Sequence, residues 1–223
     1  ISTEGQSLTL VYGDSTKGWQ SVSAATEADL PKPSFISATG GTVSTVCTNF
    51  KAHVFTGPGT FCISAVGNAA GSNTVDYMVV AGGGSGGNAN SGFNGQAAGA
   101  GAGGYRESSG TASGCYTVSP LGACVSALPV TATSFPITVG AGGAARSSQA
   151  NGNPGSTSTF STISSAGGGG GGRDPNGTGT AGGSGGGGAS DSASGGAGNT
   201  PPTSPSQGNN GGNGATHNTS GGG

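Results

Sequence analysis

The last 57 residues of the chain, Gly167 to Gly223, hold 24 glycines and not one Val, Ile, Leu, Met, Phe, Tyr, Trp or Cys. A conventional hydrophobic core is therefore out of reach for this stretch. Ordering a backbone costs about 1–2 kcal/mol per residue, and side chains this small bury too little apolar surface to offset it. Disorder is the compositional default. The physical alternative is a set of extended helices with three residues per turn, like polyproline II, which have no internal hydrogen bonds. Rods of this kind, packed with glycine where they touch, can bond to one another through N–H and C=O. The runs "GGGGGGRDPNG" and "GGSGGGGASDSASGGAGN" lack a strict G-X-Y period, so collagen is excluded. We expect 167–223 to be ordered as a polyglycine-II-like bundle, turned by Pro, Asn and Asp.

The rest of the chain reads as mainly β, with essentially no α-helix, because no window carries a helical apolar period. Residues 1–33 form an N-terminal β segment and linker. In "SLTLVYGDSTKGWQSVS" two strand-like runs flank a turn, the sole tryptophan comes just after it, and Pro31 and Pro33 read as linker. A lone hairpin is marginal in water, so this segment is expected to form oligomers or to pack on the neighbouring β-domain. That domain, residues 34–166, is small and antiparallel, with long glycine-rich inserts. There "FKAHVFTGPGTFCISAV" reads as a hairpin about Gly57-Pro58-Gly59, Asp76–Ala81 as a strand covered on both faces, and "SFPITVGAGG" and "STFSTISSA" as one strand each. Residues 167–223 are the glycine-rich domain. Starting on Ile1 without Met and ending on Gly221-Gly222-Gly223, the chain reads as a segment of something longer.

Catalytic and cofactor chemistry finds little support. Gly82, Gly84 and Gly87 in "YMVVAGGGSGG" fit G-x-G-x-x-G, which marks a dinucleotide site only when a helix comes next. Here "NANSGFNGQAAGAGAGG" comes next, too rich in glycine for a helix. In a chain with 52 glycines among 223 residues the pattern also recurs by chance. No P-loop lysine stands after the glycines, the carboxylates are scattered, and only His53 and His217 are present. No catalytic, cofactor or metal site is assigned, and the chain is read as a non-enzyme. Six Lys and Arg, scattered, against eight Asp and Glu argue against nucleic acid, and no run approaches the ~18 apolar residues of a membrane span. Four cysteines, Cys47, Cys62, Cys115 and Cys124, are read as two disulfides. Proximity favours Cys47–Cys62 and Cys115–Cys124; the other pairings and free thiols stay open. The sequons at Asn176 and Asn218 are read as coincidence. Phe93, Tyr105 and Tyr116, near glycine-rich loops, are candidates for surface contact, with packing in the core the competing role.

The stretches "VDYMVVAGGGSGG", "GAGGYRES", "FPITVGAGG", "STFSTISSAGGGGGG" and "PSQGNNGGNG", in this order, resemble glycine-rich domains of bacteriophage tail fibres and related virion appendages of the marine-phage type. "SLTLVYGDSTKGWQSV" resembles the short β segment that precedes such domains, and "FKAHVFTGPGTFCISAVGN" the module beside them. The resemblance implies a structural, adhesive virion protein. It would be a homotrimer, joined to other tail proteins, displaying loops to a bacterial surface receptor or glycan outside the cell. The alternative expectation is a cellular extracellular glycine-rich filament or matrix protein without a specific receptor.

Overall fold

The computed structural model describes residues 7–16, 18–25, 33–46, 50–68, 71–89, 96–109, 125–190, 192–215 and 221–223. Among them there is no α-helix, and every strand pair is antiparallel. The mainly-β expectation holds.

The first hairpin pairs β1 (Ser7–Tyr12) with β2 (Trp19–Ala25). Its turn is closed by Gly13 N–H to Gly18 O at 2.9 Å and Gly18 N–H to Asp14 O at 2.7 Å. The Asp14 side chain accepts from Thr16 N–H at 2.8 Å, and Gly18 takes a left-handed φ of 66°. Tyr12 and Trp19 meet edge to face across the pair, with centroids 5.4 Å apart, yet Trp19 remains 68% exposed.

The central sheet has the order β13-β12-β11-β6-β3, built from β3 (Ser37–Thr39), β6 (Gly59–Ala65), β11 (Ser134–Thr138), β12 (Ser158–Phe160) and β13 (Ile163–Ser165). Two expectations are corrected here. The stretch read as one hairpin about Gly57–Gly59 divides between sheets. Its first strand, β5 (Phe50–Val54), pairs with β4 (Thr42–Val46), whereas β6 pairs with β3 and β11. Gly40 and Gly41, with φ of 109° and 64°, allow this. The chain leaves β3 pressed so close to Thr60 that a Cβ at Gly40 would lie 2.0 Å from its carbonyl oxygen, and β5 pairs with β4 instead of β6. The stretch "STFSTISSA" is not one strand but the β12–β13 hairpin, closed by Ser161 at φ 53°.

A third correction concerns Asp76–Ala81. Only Met78–Val80 forms a strand, β8, paired with β9 (Tyr105–Glu107). Tyr77, Val79 and Ala81 are buried, but Met78 and Val80 are exposed, so one face is open. One short pair completes the described strands, β7 (Thr74–Val75) with β10 (Leu128–Pro129).

The apolar core is small: Phe61, Ile63, Tyr77, Val79, Val130 and Phe160, with partly buried neighbours such as Phe135 and Ile137. Phe160 is its hub, with edge contacts to Phe61 at 6.0 Å and Phe135 at 5.9 Å. Polar groups inside it are paired. Ser108 Oγ donates to Asp76 Oδ1 at 2.7 Å and accepts from Tyr77 N–H at 3.0 Å, and Ser165 Oγ donates to Val79 O at 2.8 Å. Burial pushes the Tyr77 phenol above its ordinary 10.0, with the Arg106 charge pulling the other way.

Phe160→Ala is expected to destabilise the fold by about 3–5 kcal/mol, the cost of emptying a packed aromatic site. The exposed Phe35→Ala change should stay within about 0.5 kcal/mol. Denaturant unfolding of both variants checks the pair.

Candidate functional site: the far end of the glycine bundle

Beyond the sheets, the glycine-rich stretches run side by side and exchange backbone hydrogen bonds at a step of three residues. Ala81, Gly84 and Gly87 donate to Gly104, Gly101 and Ala98; Gly82, Ser85 and Asn88 donate to Ser156, Asn153 and Ala150. Ala98, Gly101 and Gly104 in turn donate to Gly172, Gly169 and Ala166, while Gly168 and Gly171 donate to Gly82 and Ser85. The pattern continues through 167–223, where Gly185 and Gly188 donate to Asn209 and Gly212, and Gly211 and Gly214 to Gly196 and Ala193. A step of three is the turn of a polyproline-II-type helix, whose N–H and C=O groups all point outward to neighbours. The expected order in 167–223 is present over its described residues, and the inserts 81–89 and 98–104 belong to the same lattice.

Glycine serves this lattice by lacking a Cβ. One at Gly84 would lie 2.2 Å from Gly169 O, one at Gly171 2.1 Å from Ala98 O, one at Gly186 2.0 Å from Gly170 O. None of the described lattice glycines has a left-handed φ; that conformation is taken by Asn176, Ser192 and Asn199 at the corners. The three glycines of the G-x-G-x-x-G pattern obey the same rule. Their open sides face the Ala141, Gly169 and Gly172 carbonyls, so another backbone fills the place a phosphate would need.

The bundle has two distinct ends. β8 stops at Val80 just before 81–89, β9 starts at Tyr105 just after 98–104, β11 stops at Thr138, and β12 and β13 flank it at Ser158 and Ser165. All these strands thus join one end. At that end Gln207, 2% exposed, is the keystone. Its Oε1 accepts from Ala166 N–H at 2.7 Å and its Nε2 donates to Pro201 O at 2.7 Å.

The connections 145–149 and 174–176 and the corner at Ser192 lie at the opposite, far end, and polar side chains stitch them together there. Asn88 Nδ2 donates to Arg146 O at 2.8 Å, and Arg146 Nε donates to Asn151 O at 3.1 Å. Asn151 Oδ1 accepts from Arg173 N–H at 2.9 Å while its Nδ2 donates to Thr178 O at 3.1 Å. Gln149 Nε2 donates to Asp174 O at 2.6 Å, and the buried Asp174 carboxylate accepts from Ser190 Oγ at 2.8 Å. The guanidinium-bearing Arg146 and Arg173 are exposed. This is a hydrogen-bonded polar platform, and none of its residues was singled out as a contact residue from sequence. The signal was there in the rare Arg, Gln and Asp breaking the glycine runs.

Of the aromatic candidates, Tyr105 is half-buried at the strand end of the bundle, its hydroxyl donating to Glu107 Oε2 and its N–H to Gln207 O. Phe93 and Tyr116 lie outside the described residues, as do Cys47, Cys115 and Cys124. Cys62, on β6, is a half-buried free thiol that accepts from Ser134 Oγ at 3.4 Å.

The sequence model of a family described as a glycine-rich domain matches residues 55–223. The chain belongs to that family. No curated protein and no solved structure matches it.

Gly171→Ala should destabilise the chain by about 1–3 kcal/mol or more, because a carbonyl must move to admit the methyl group. Gly83→Ala, whose Cβ would meet nothing nearer than 3.7 Å, should be neutral or stabilise by about 0.4–1 kcal/mol. Amide exchange at Gly168, Gly171 and Gly186 should be strongly protected; free exchange there would refute the lattice.

Proposed function

We propose that the chain is a structural, non-catalytic segment of a bacteriophage tail fibre or virion appendage. It works outside the cell, joined to other tail proteins as a homotrimer, and holds polar loops against a surface receptor or glycan of the bacterial host. The observation that carries this reading is the division of the bundle. Its interior glycines face backbone and tolerate no side chain, whereas the far end collects exposed polar groups on a frame fixed by side-chain-to-backbone hydrogen bonds. Such a frame presents a contact surface with little conformational entropy left to lose on binding.

The trimer is supported by where the apolar surface lies. Among the described residues, nine of the twelve exposed large hydrophobics, from Leu10 to Val54, precede the matched domain. Leu10, Val11, Tyr12 and Trp19 of the first hairpin are each 46–68% exposed, and exposed apolar surface of this kind marks protein contacts. We assign the trimer contact to this hairpin.

The purified chain should behave as a trimer in light scattering and bind host cells or their extracted surface polysaccharide. Tyr12→Ser with Trp19→Ser should yield monomer. Arg146→Ala with Arg173→Ala should weaken binding roughly tenfold, about 1.4 kcal/mol, with the fold intact. A trimer that binds neither cells nor polysaccharide would leave a scaffold role alone. Open head-to-tail filaments would favour an extracellular matrix protein, and turnover of the glycan would overturn the non-enzymatic reading.

A further inference from the structure

Among the described residues the 81–89 segment has four neighbours in the lattice: 98–104, 166–172, 150–156 and, through Gly143 N–H to Gly83 O at 2.8 Å, the 139–143 segment. These neighbours also bond in succession. 98–104 bonds 166–172, 166–172 bonds 150–156, and Ser156 N–H reaches Ala141 O at 2.9 Å. Among the described residues they therefore wrap one side of the rod and leave open the arc between 139–143 and 98–104.

Backbone groups of 81–89 point into that arc. The N–H groups of Gly83 and Gly86, and the carbonyls of Gly84 and Gly87, have no hydrogen-bond partner among the described residues. The N–H row every three residues that feeds 98–104 and the one that feeds 150–156 are both used, so the N–H groups of Gly83 and Gly86 form the unused third row. Outward positions on other rods carry exposed side chains at Ala102, Thr178, Ala181, Ser194 and Ala197, and single exposed glycines at Gly99, Gly212 and Gly222. Here the row is Gly83 and Gly86, with Gly142 of the flanking rod beside it. A Cβ at these positions would meet nothing nearer than 3.4 Å, so folding of the single chain does not require glycine there.

We propose that this arc is a docking edge for the same arc of a second copy of the chain, which continues the lattice between molecules. Elsewhere in the bundle a glycine row at this step is the seat of another rod, and the contact proposed is continuous with that interface. Donors and acceptors lie together on one arc, so two copies related by a two-fold axis satisfy each other. An exposed row of unpaired N–H and C=O is a template for pairing, as at the edge of a β-sheet. At about 3.1 Å per residue the edge is under roughly 30 Å long, small beside the ~800 Å² per partner of a stable interface. The contact is therefore weak and forms where copies are held at millimolar effective concentration. It does not depend on the hairpin trimer.

The test uses the full chain carrying Tyr12→Ser and Trp19→Ser, so that hairpin association does not enter, with amide exchange read by NMR from dilute to millimolar protein. Exchange at Gly83 and Gly86 should slow at least about tenfold with concentration while protection at Gly168 and Gly171 stays constant. Gly86→Ala, which has room in the fold, should abolish the concentration dependence and keep the Gly168 and Gly171 protection. Exchange at Gly83 and Gly86 that is fast at every concentration would overturn the proposal. So would exchange already slow in dilute monomer, because the arc would then be covered within one chain, or a concentration dependence that survives Gly86→Ala.

Discussion

The structure rests on one interaction, the hydrogen bond between neighbouring extended backbones repeated every third residue. A three-residue turn points N–H and C=O outward in all directions, so each rod needs partners around it, and each partner must come close enough to bond. That distance leaves no space for a Cβ. At Gly172 one would lie 1.9 Å from Gly177 O, and at Gly179 1.9 Å from Gly186 O. Glycine is thus fixed by contact distance rather than by torsion. The left-handed corners fall to Asn176, Ser192 and Asn199, whose side chains tolerate that conformation and bond locally. Asn199 does so directly, its Oδ1 accepting from the Thr203 backbone and hydroxyl at 3.0 and 2.9 Å.

Such a core shifts the usual balance of folding. The apolar cluster has six buried members among the described residues, and glycine has more backbone entropy to lose than any other residue. What opposes that loss is a dense set of backbone hydrogen bonds, each with a net worth of only about 0.5–1.5 kcal/mol, together with the dispersion of backbone packed on backbone. The β-sheets act as the anchor. β8, β9, β11, β12 and β13 each feed a rod, so sheet register sets rod register. Ser158 shows the coupling: it lies in β12, pairs with Ser165, and its Oγ accepts from Gly140 N–H at 2.9 Å.

The reach of sequence reasoning is set by the same physics. Alternation and turn residues located β1, β2, β6 and β11, and in β6 and β11 alternate residues do differ in burial. They misplaced the partner of β5, since the Gly57-Pro58-Gly59 turn signal is local, while Gly40 pressed against Thr60 is a tertiary fact. The composition of 167–223 pointed to rods, because no other ordered structure dispenses with apolar side chains. It could not give their pairing, since one glycine is like another and nothing in the order of residues says that Gly168 bonds to Gly82 rather than to Gly186. The polar caps Asn151 and Gln207 were missed for a related reason. Their meaning lies in which backbone groups the lattice leaves unpaired, and that is known only once the rods are placed.

The same constraint decides where this architecture can vary. A substitution inside a rod meets a backbone atom within 2.4 Å at every described glycine after residue 80 except Gly83, Gly86, Gly99, Gly142, Gly212 and Gly222, or at Gly104 the Gln207 amide oxygen. The strand end is committed to joining the sheet, where Gln207 and Tyr105 are already engaged. What is left is the far end. There a loop needs only to cap a few N–H and C=O groups, as Asn151 does for Arg173 and Thr178, and its remaining side chains are free of any duty to the fold. The lattice thus restricts change along most of its length and leaves one end open to it.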